Sequence, residues 1–350
     1  MNSNMNLLSK FKFLCRKKPV IVVTGQGRKT AVRAVLDVLK QHFKVGKDIL
    51  IFESTDKEIK RFEFFLRKSP KASVIVTNIG DIPFDRDYFG GEKEEIKNTL
   101  KLVETLPAQT NLILNFDDET VREIDDLTNL NTLSFGFQLG ADFKASDVKF
   151  NGGTNFKVNY KGNVVPVWLE KIFGKEQIYS ALCATAMATV LGLNLVETSQ
   201  SLKNYHSLPG KMKLIKGIKN SWILDDTESA TVFSMIEALE ILGKLKNFKR
   251  KIAVLGDIIG IGKYTIEAHE AIGEKVIENA DFLFTFGSRA RFISKGAEVK
   301  GMVNEKISSF NTIEQGVSEL RKEIKEGDLI LVDGSKDMQM KEIVEKIKVR

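Results

Sequence analysis

Short β-branched runs that alternate with longer helical stretches restrict this chain to one class of architecture. Val20 to Thr24, DILIFES (48–54), ASVIVTNIG (72–80), NLILNFDD (111–118) and TLSFGF (132–137) are separated by segments such as EEIKNTLKLVETL that read as helices. Strands interleaved with helices imply a mostly parallel, doubly wound α/β sheet. Between 147 and 168 the texture changes to DVKFNGG, NFKVNY and NVVPVWL, which predicts a small antiparallel patch. QIYSALCATAMATVLGL (177–193) is apolar nearly all round and predicts a buried helix. Around LPGK (208–211) the alternation restarts, with ILDD (223–226), IAVLGD (252–257), FLFTFG (282–287) and LILVDGS (329–335) each ending near Gly or Asp. The expected organisation is a lead-in over 1–18, one α/β domain over 19–208 and a second over 211–350, divided at Pro209-Gly210. A chain of 350 residues with 43% hydrophobic content can fill two such cores.

Several classes are disfavoured by composition. The two cysteines, Cys15 and Cys183, are far apart, which argues for a reducing, cytoplasmic compartment and against a disulfide frame or thiolate metal site. The start is basic, but Lys10 and Lys12 interrupt its apolar run and no small-residue cleavage site follows, so it reads as a lead-in rather than a signal peptide. No apolar run approaches the roughly 18 to 20 residues that span a bilayer, so no membrane span is expected. The net charge of +7 is spread along the chain instead of forming a basic, aromatic-laced stripe, which leaves nucleic-acid binding unsupported.

The stretch VIVVTGQGRKTAVRAVLDVLK (20–40) carries the first chemical signal. A phosphate-binding loop needs a strand, small residues whose N–H groups close around phosphate, then Lys and Ser/Thr at a helix start. Val20 to Thr24 supply the strand, Gly25 and Gly27 the small residues, and Lys29-Thr30 the charge and the hydroxyl. Arg28 stands where the usual pattern has glycine: it either adds a cation for phosphate or fills the space the loop needs. Read without further context, the stretch is equally a basic strand-to-helix turn.

The second half, with LPGKMKLIKG, ILDDTESATVFSMIEAL, KIAVLGDIIGIGKYTIEAHEAIGE and GDLILVDGSKDMQMKEIVEKI, resembles the C-terminal domain of the Mur ligases, and among them the D-alanyl-D-alanine-adding type. The first half agrees in order: the glycine-rich loop, TNIG (77–80), LNFDD (114–118), FGFQLGADFKASDV (135–148), and GKEQIYSAL (174–182) where the family has a GRHNVYNAL-like run. The resemblance implies a P-loop-type central ATPase domain, a Rossmann-like C-terminal domain, and ATP between them. It implies ATP-dependent amide-bond formation in peptidoglycan precursor synthesis through an acyl phosphate, with Mg²⁺ as cofactor. UDP-muramoyl-peptide and D-Ala-D-Ala are the substrate pair it suggests. By residue-for-residue correspondence, Lys29 is the phosphate lysine, Thr30 and Glu53 hold Mg²⁺, and Asn115 lies near the acyl centre. Gly25, Gly27, Arg28, Ser180, Lys211 and Asp226 fall on nucleotide-side positions. A carboxylate such as Glu53 suits a hard cation that takes oxygen ligands.

Departures from the family pattern support a second expectation. Pro83 stands at a family histidine, Thr99 at the lysine that is carbamylated to hold a second metal, and Glu228, Ser229, Thr231 and Val232 occupy the amine-substrate segment. By the same resemblance, no part of these 350 residues is expected to correspond to the family's N-terminal UDP-binding domain. The alternative to a working ligase is therefore a catalytically impaired homologue that binds nucleotide and acts as a partner or regulator of another cell-wall protein. Residue by residue, ordinary structural roles are also open: Asp117 and Asp118 as turn or helix-start groups, Asp225 and Asp226 as caps of the helix near Ala230, and His269 as a packed helix residue.

Overall fold

The computed structural model describes residues 7–55, 58–78, 101, 103–126 and 128–349. The chain divides into two compact units. Unit 1 comprises Met1–Lys149, Asn155–Leu169 and Lys175–His206; unit 2 comprises Phe150–Thr154, Glu170–Gly174 and Ser207–Arg350. The Pro209-Gly210 region is thus close to the main division, while two short strips flanking a hairpin belong with the second unit.

In unit 1, strands β1 (Val20–Thr24), β2 (Leu50–Glu53), β3 (Ala72–Val76), β4 (Asn111–Asn115), β5 (Asn131–Gly136), β6 (Phe143–Phe150), β7 (Gly153–Tyr160) and β8 (Asn163–Glu170) form a sheet in the order β2-β1-β3-β4-β5-β6-β7-β8. The pairs from β2 to β6 are parallel. Strands β6, β7 and β8 are joined by two-residue turns, a connection that only antiparallel neighbours permit; this is the expected antiparallel patch. Every residue of β1 and β3 is buried, as continuous apolar strands covered on both faces should be. On one face, Val20, Val22, Val74, Leu112 and Leu114 pack with Phe65, Leu66, Val121 and Ile124, and Phe13 of the Leu7–Cys15 helix joins them. The residues before β1 therefore contribute to the core. The helix Arg28–Leu39 packs against the buried helix Lys175–Val190.

In unit 2 the strands are β9 (Lys213–Lys216), β10 (Trp222–Asp226), β11 (Arg250–Gly256), β12 (Phe282–Phe286), β13 (Ile307–Phe310) and β14 (Asp328–Asp333), in the order β13-β12-β11-β14-β10-β9. All pairs are parallel except β9–β10. Helices Val232–Lys244, Thr265–Asn279 and Arg291–Val299 cover one face through Leu239, Ile272 and Ile293, and Ile313–Glu323 and Lys341–Ile347 cover the other through Leu320 and Ile343. The chain thus builds β10 to β13 in one direction and returns to insert β14 between β10 and β11, with helices on both faces. The expected doubly wound class is present in both units. Strands β9 and β13 are additions to the expected set: KLIK and ISSF carry too few apolar residues to stand out.

Among the described residues no helix is long and apolar enough to cross a membrane.

Candidate functional site

Where β1 ends, the chain turns through Gly25 (φ 97°) and Gly27 (φ 74°) before the helix begins at Arg28. Both conformations favour glycine. At Gly25 the space is also closed: a Cβ there would lie 2.5 Å from the Asn78 carbonyl oxygen and 2.7 Å from Thr77 Oγ1. The loop is stitched to the end of β3, since Gln26 N–H donates to the Asn78 carbonyl (2.6 Å) and the Thr77 hydroxyl contacts the Thr24 and Gln26 carbonyls. Gly27 caps the helix with no side-chain partner, so the N–H groups of the first turn lack acceptors within the helix and face outward with the positive end of its dipole. A helix start left open in this way is a geometry that can receive an anion.

The side chains of the loop divide into two pairs. Arg28 is half-buried; its Nη1 donates to the Gly25 carbonyl (3.2 Å) and its Nε lies 3.2 Å from Glu53 Oε1, an ion pair without hydrogen-bond alignment. Register places Glu53 opposite Val23 at the carboxyl end of β2, which is why residues 25 apart in sequence meet here. The buried Thr30 hydroxyl donates to Glu176 Oε1 on the Lys175–Val190 helix. Glu176 also lies over the loop, with its Cγ 3.7 Å from where a Gly27 Cβ would stand. Lys29 is exposed and makes no ion pair among the described residues.

Asn115 is buried at the end of β4; its Nδ2 contacts Asn78 Oδ1 and its Oδ1 accepts from Asp117 N–H (3.1 Å). Asn115 therefore braces the same Asn78 that holds the loop. Asp117 accepts from Phe137 N–H (2.7 Å), Gln138 N–H (3.0 Å) and Tyr179 Oη (2.9 Å), and Asp118 accepts from Val121 N–H (3.0 Å) at a helix start. Both have the structural roles expected of them. Ser180 is almost fully buried in its helix. Pro83 and Thr99 lie outside the described residues.

The remaining expected positions are together in unit 2. Lys211 Nζ donates to Ser229 Oγ (2.7 Å), and Asp226 accepts from Met212 N–H (3.2 Å) at the end of β10. The neighbouring Asp225 accepts from Gly210 N–H and Thr227 Oγ1, and burial raises its carboxyl above the usual range. Neither aspartate caps the next helix: that helix starts at Val232, and Thr231 caps it in a reciprocal pair with Ser234, because the TES turn separates the strand end from the helix. His269 is fully buried; its Nε2 accepts from Ile258 N–H (3.1 Å) and its Nδ1 faces the Thr265 carbonyl (2.6 Å), with burial lowering its pKa. It is a packed residue.

Two residues were missed from sequence. Asp333, at the end of β14 opposite Asp226, is fully buried, and neither carboxylate oxygen has a well-aligned hydrogen-bond partner. Burial pushes it up to about 8, with the Gly334 N–H and the Lys211 charge offsetting part of the effect and Asp225 adding to it. Glu176 is the other; the only signal was its place in GKEQIYSAL, opposite a histidine of the family run.

The donor set at the loop fits a hard divalent cation with phosphates: an aliphatic hydroxyl, a carboxylate at a strand end and a glycine cradle that a Cβ would fill. Among the described residues no three His, Cys, Asp or Glu side chains form a metal-holding group, so a cation here needs phosphate and water oxygens as well.

Comparison with known proteins agrees with this geometry. Residues 13–188 match the Mur ligase middle domain and residues 210–336 match the Mur ligase glutamate ligase domain. UDP-N-acetylmuramoyl-tripeptide–D-alanyl-D-alanine ligase of Bacillus subtilis is 23% identical over 354 residues, covering 93% of this chain and 75% of that protein. The UDP-N-acetylmuramate–L-alanine ligase of Alkaliphilus metalliredigens is 25% identical, with 48% of its length covered. Among solved structures, MurF of Acinetobacter baumannii superposes with a TM-score of 0.80 at 18% identity (96% of this chain, 78% of that one). MurF of Thermotoga maritima, solved with ADP, gives 0.76 at 19% (97% and 81%). With both halves matched in order and the fold shared along nearly its whole length, the chain belongs to the Mur ligase family.

Proposed function

We propose that this protein is an ATP-dependent amide-forming ligase that activates a carboxylate as an acyl phosphate and passes it to an amine. The carrying observation is the preserved loop: Gly25 and Gly27 with positive φ, an uncapped helix start, and Lys29 exposed beside it. In such chemistry positioning and charge neutralisation do most of the work. The first-turn amides bind the transferred phosphoryl oxygens, and Lys29 supplies the charge that holds them. Thr30 Oγ1 and Glu53 offer the oxygens for Mg²⁺, which when bound would neutralise charge developing on the phosphoryl group. Asn115 acts as a positioning residue, since it holds Asn78 under the loop. Lys211 and Asp226 are assigned to the nucleotide side of unit 2 on the family correspondence. The substrate pair we assign is a UDP-muramoyl-peptide carboxylate and D-Ala-D-Ala, by analogy with what the Bacillus subtilis relative is named for.

One observation favours the impaired-homologue reading: Glu53 is engaged by Arg28 instead of standing open. Phosphate release with ATP, Mg²⁺, UDP-muramoyl-tripeptide and D-Ala-D-Ala separates the two. Release that needs both substrates supports the ligase; nucleotide binding without release under any combination supports a regulator.

A further inference from the structure

We propose that Glu176 makes the phosphate loop selective for metal-bound over metal-free nucleotide; the inference rests on the loop being a nucleotide site. A hydroxyl has one proton and two lone pairs. Thr30 Oγ1 gives its proton to Glu176, so its lone pairs are left for a ligand on the other side. A group held this way can bind a cation and cannot donate to a phosphate oxygen. Carboxylates that orient a metal-binding group in this manner also raise its basicity.

The charge balance of the loop leads to the same result. Arg28 is matched by Glu53 at 3.2 Å, and Glu176 sets a second carboxylate over the loop, where it overhangs Gly27. Arg28 and Glu53 thus cancel as a pair, and the amides, the helix dipole, equivalent to roughly half a charge, and the exposed Lys29 attract an anion against the charge of Glu176. A bare polyphosphate tail meets a fixed carboxylate beside the amides it seeks. The same tail carrying Mg²⁺ meets a negative group that attracts it. The sequence separation of 146 residues between Thr30 and Glu176 means that the arrangement exists only when the Lys175–Val190 helix is packed on Arg28–Leu39.

The test is calorimetric titration of the full chain with ATP in excess Mg²⁺ and with ATP in excess EDTA, using wild type, Glu176→Gln, Glu176→Ala and Glu176→Asp, each checked for an unchanged thermal melt. The ratio of the two affinities is the readout, because a merely structural role would weaken both forms together. Wild type and Glu176→Asp should prefer the Mg²⁺ form by at least about tenfold, and the two uncharged variants should lose most of that preference by gaining affinity for metal-free ATP. If wild type binds Mg·ATP and both uncharged variants keep its ratio within about twofold, the role of Glu176 is overturned while the nucleotide site stands. If wild type binds neither form, the nucleotide reading falls and this inference with it.

Discussion

Asp333→Asn should remove a component of the pH dependence of unit 2 stability whose size follows from the burial of that carboxyl. Asp333 is wholly buried without an aligned hydrogen-bond partner, and its pKa is pushed up to about 8. In an unfolded chain an aspartate titrates near 4. Between about pH 5 and pH 7 the folded protein therefore holds a proton here that the unfolded chain has released. The native state binds more protons, so stability falls as pH rises through this window and levels off once pH passes the folded pKa near 8. A single such group contributes a slope of about 1.4 kcal/mol per pH unit, or roughly 2.7 kcal/mol from pH 5 to 7. Burial raises Asp225 in the same direction. The amide of the variant takes up no proton. Urea unfolding at pH 5, 6 and 7 measures the effect, with Trp222 as reporter in a Trp168→Phe background, since these are the two tryptophans and Trp168 belongs to unit 1. Wild type should lose about 2 to 3 kcal/mol relative to Asp333→Asn across the window. Parallel curves would refute the reasoning.

Three further outcomes are expected. Lys29→Ala should weaken ATP binding at least about tenfold, as loss of a charge-assisted contact costs roughly 1.5 to 3 kcal/mol, and equal affinities by calorimetry would dismiss the phosphate role. Arg28→Gly should change the melting free energy by less than about 1 kcal/mol, because the Arg28–Glu53 pair is partly exposed, yet raise the apparent Mg²⁺ affinity of the ATP complex up to about fivefold by freeing Glu53; a weaker Mg²⁺ response would show that Arg28 itself serves the phosphates. Gly273→Ala should destabilise unit 2 by about 1 to 3 kcal/mol or more, since the new Cβ would lie 2.1 Å from the Ile293 carbonyl oxygen and 2.8 Å from Ala297 N. An unchanged melting curve would mean that the two helices separate at no cost.

The candidate site was readable in part, and the division follows the range of the interactions. Gly25, Gly27, Lys29 and Thr30 could be placed because a strand, two glycines and a helix start are encoded within a dozen neighbouring residues. Glu53 and Asn115 were placed by family correspondence, which told where they stand and not what holds them. Arg28 shows the limit: its two roles, added cation or obstruction, were both open in sequence, and the structure gives a third, partner of Glu53. Glu176 carries no local signal, because its contact with Thr30 spans 146 residues of sequence.

The sequence by itself determined the class of the fold. Short continuous apolar runs alternate with stretches of period near 3.6, and burial of β1, β3 and β14 on both faces needs nothing beyond that local pattern. It did not determine the edge strands β9 and β13, whose polar residues gain their pairing only from a neighbour already in place. It also did not determine the charge state or occupancy of the site. Whether Asp333 is solvated or sealed, and whether Thr30 meets water or Glu176, depends on which helices pack over the strand ends. Hydrogen bonds and desolvation act over a few ångströms in space, and residues 146 positions apart come within that reach only after the tertiary structure has formed.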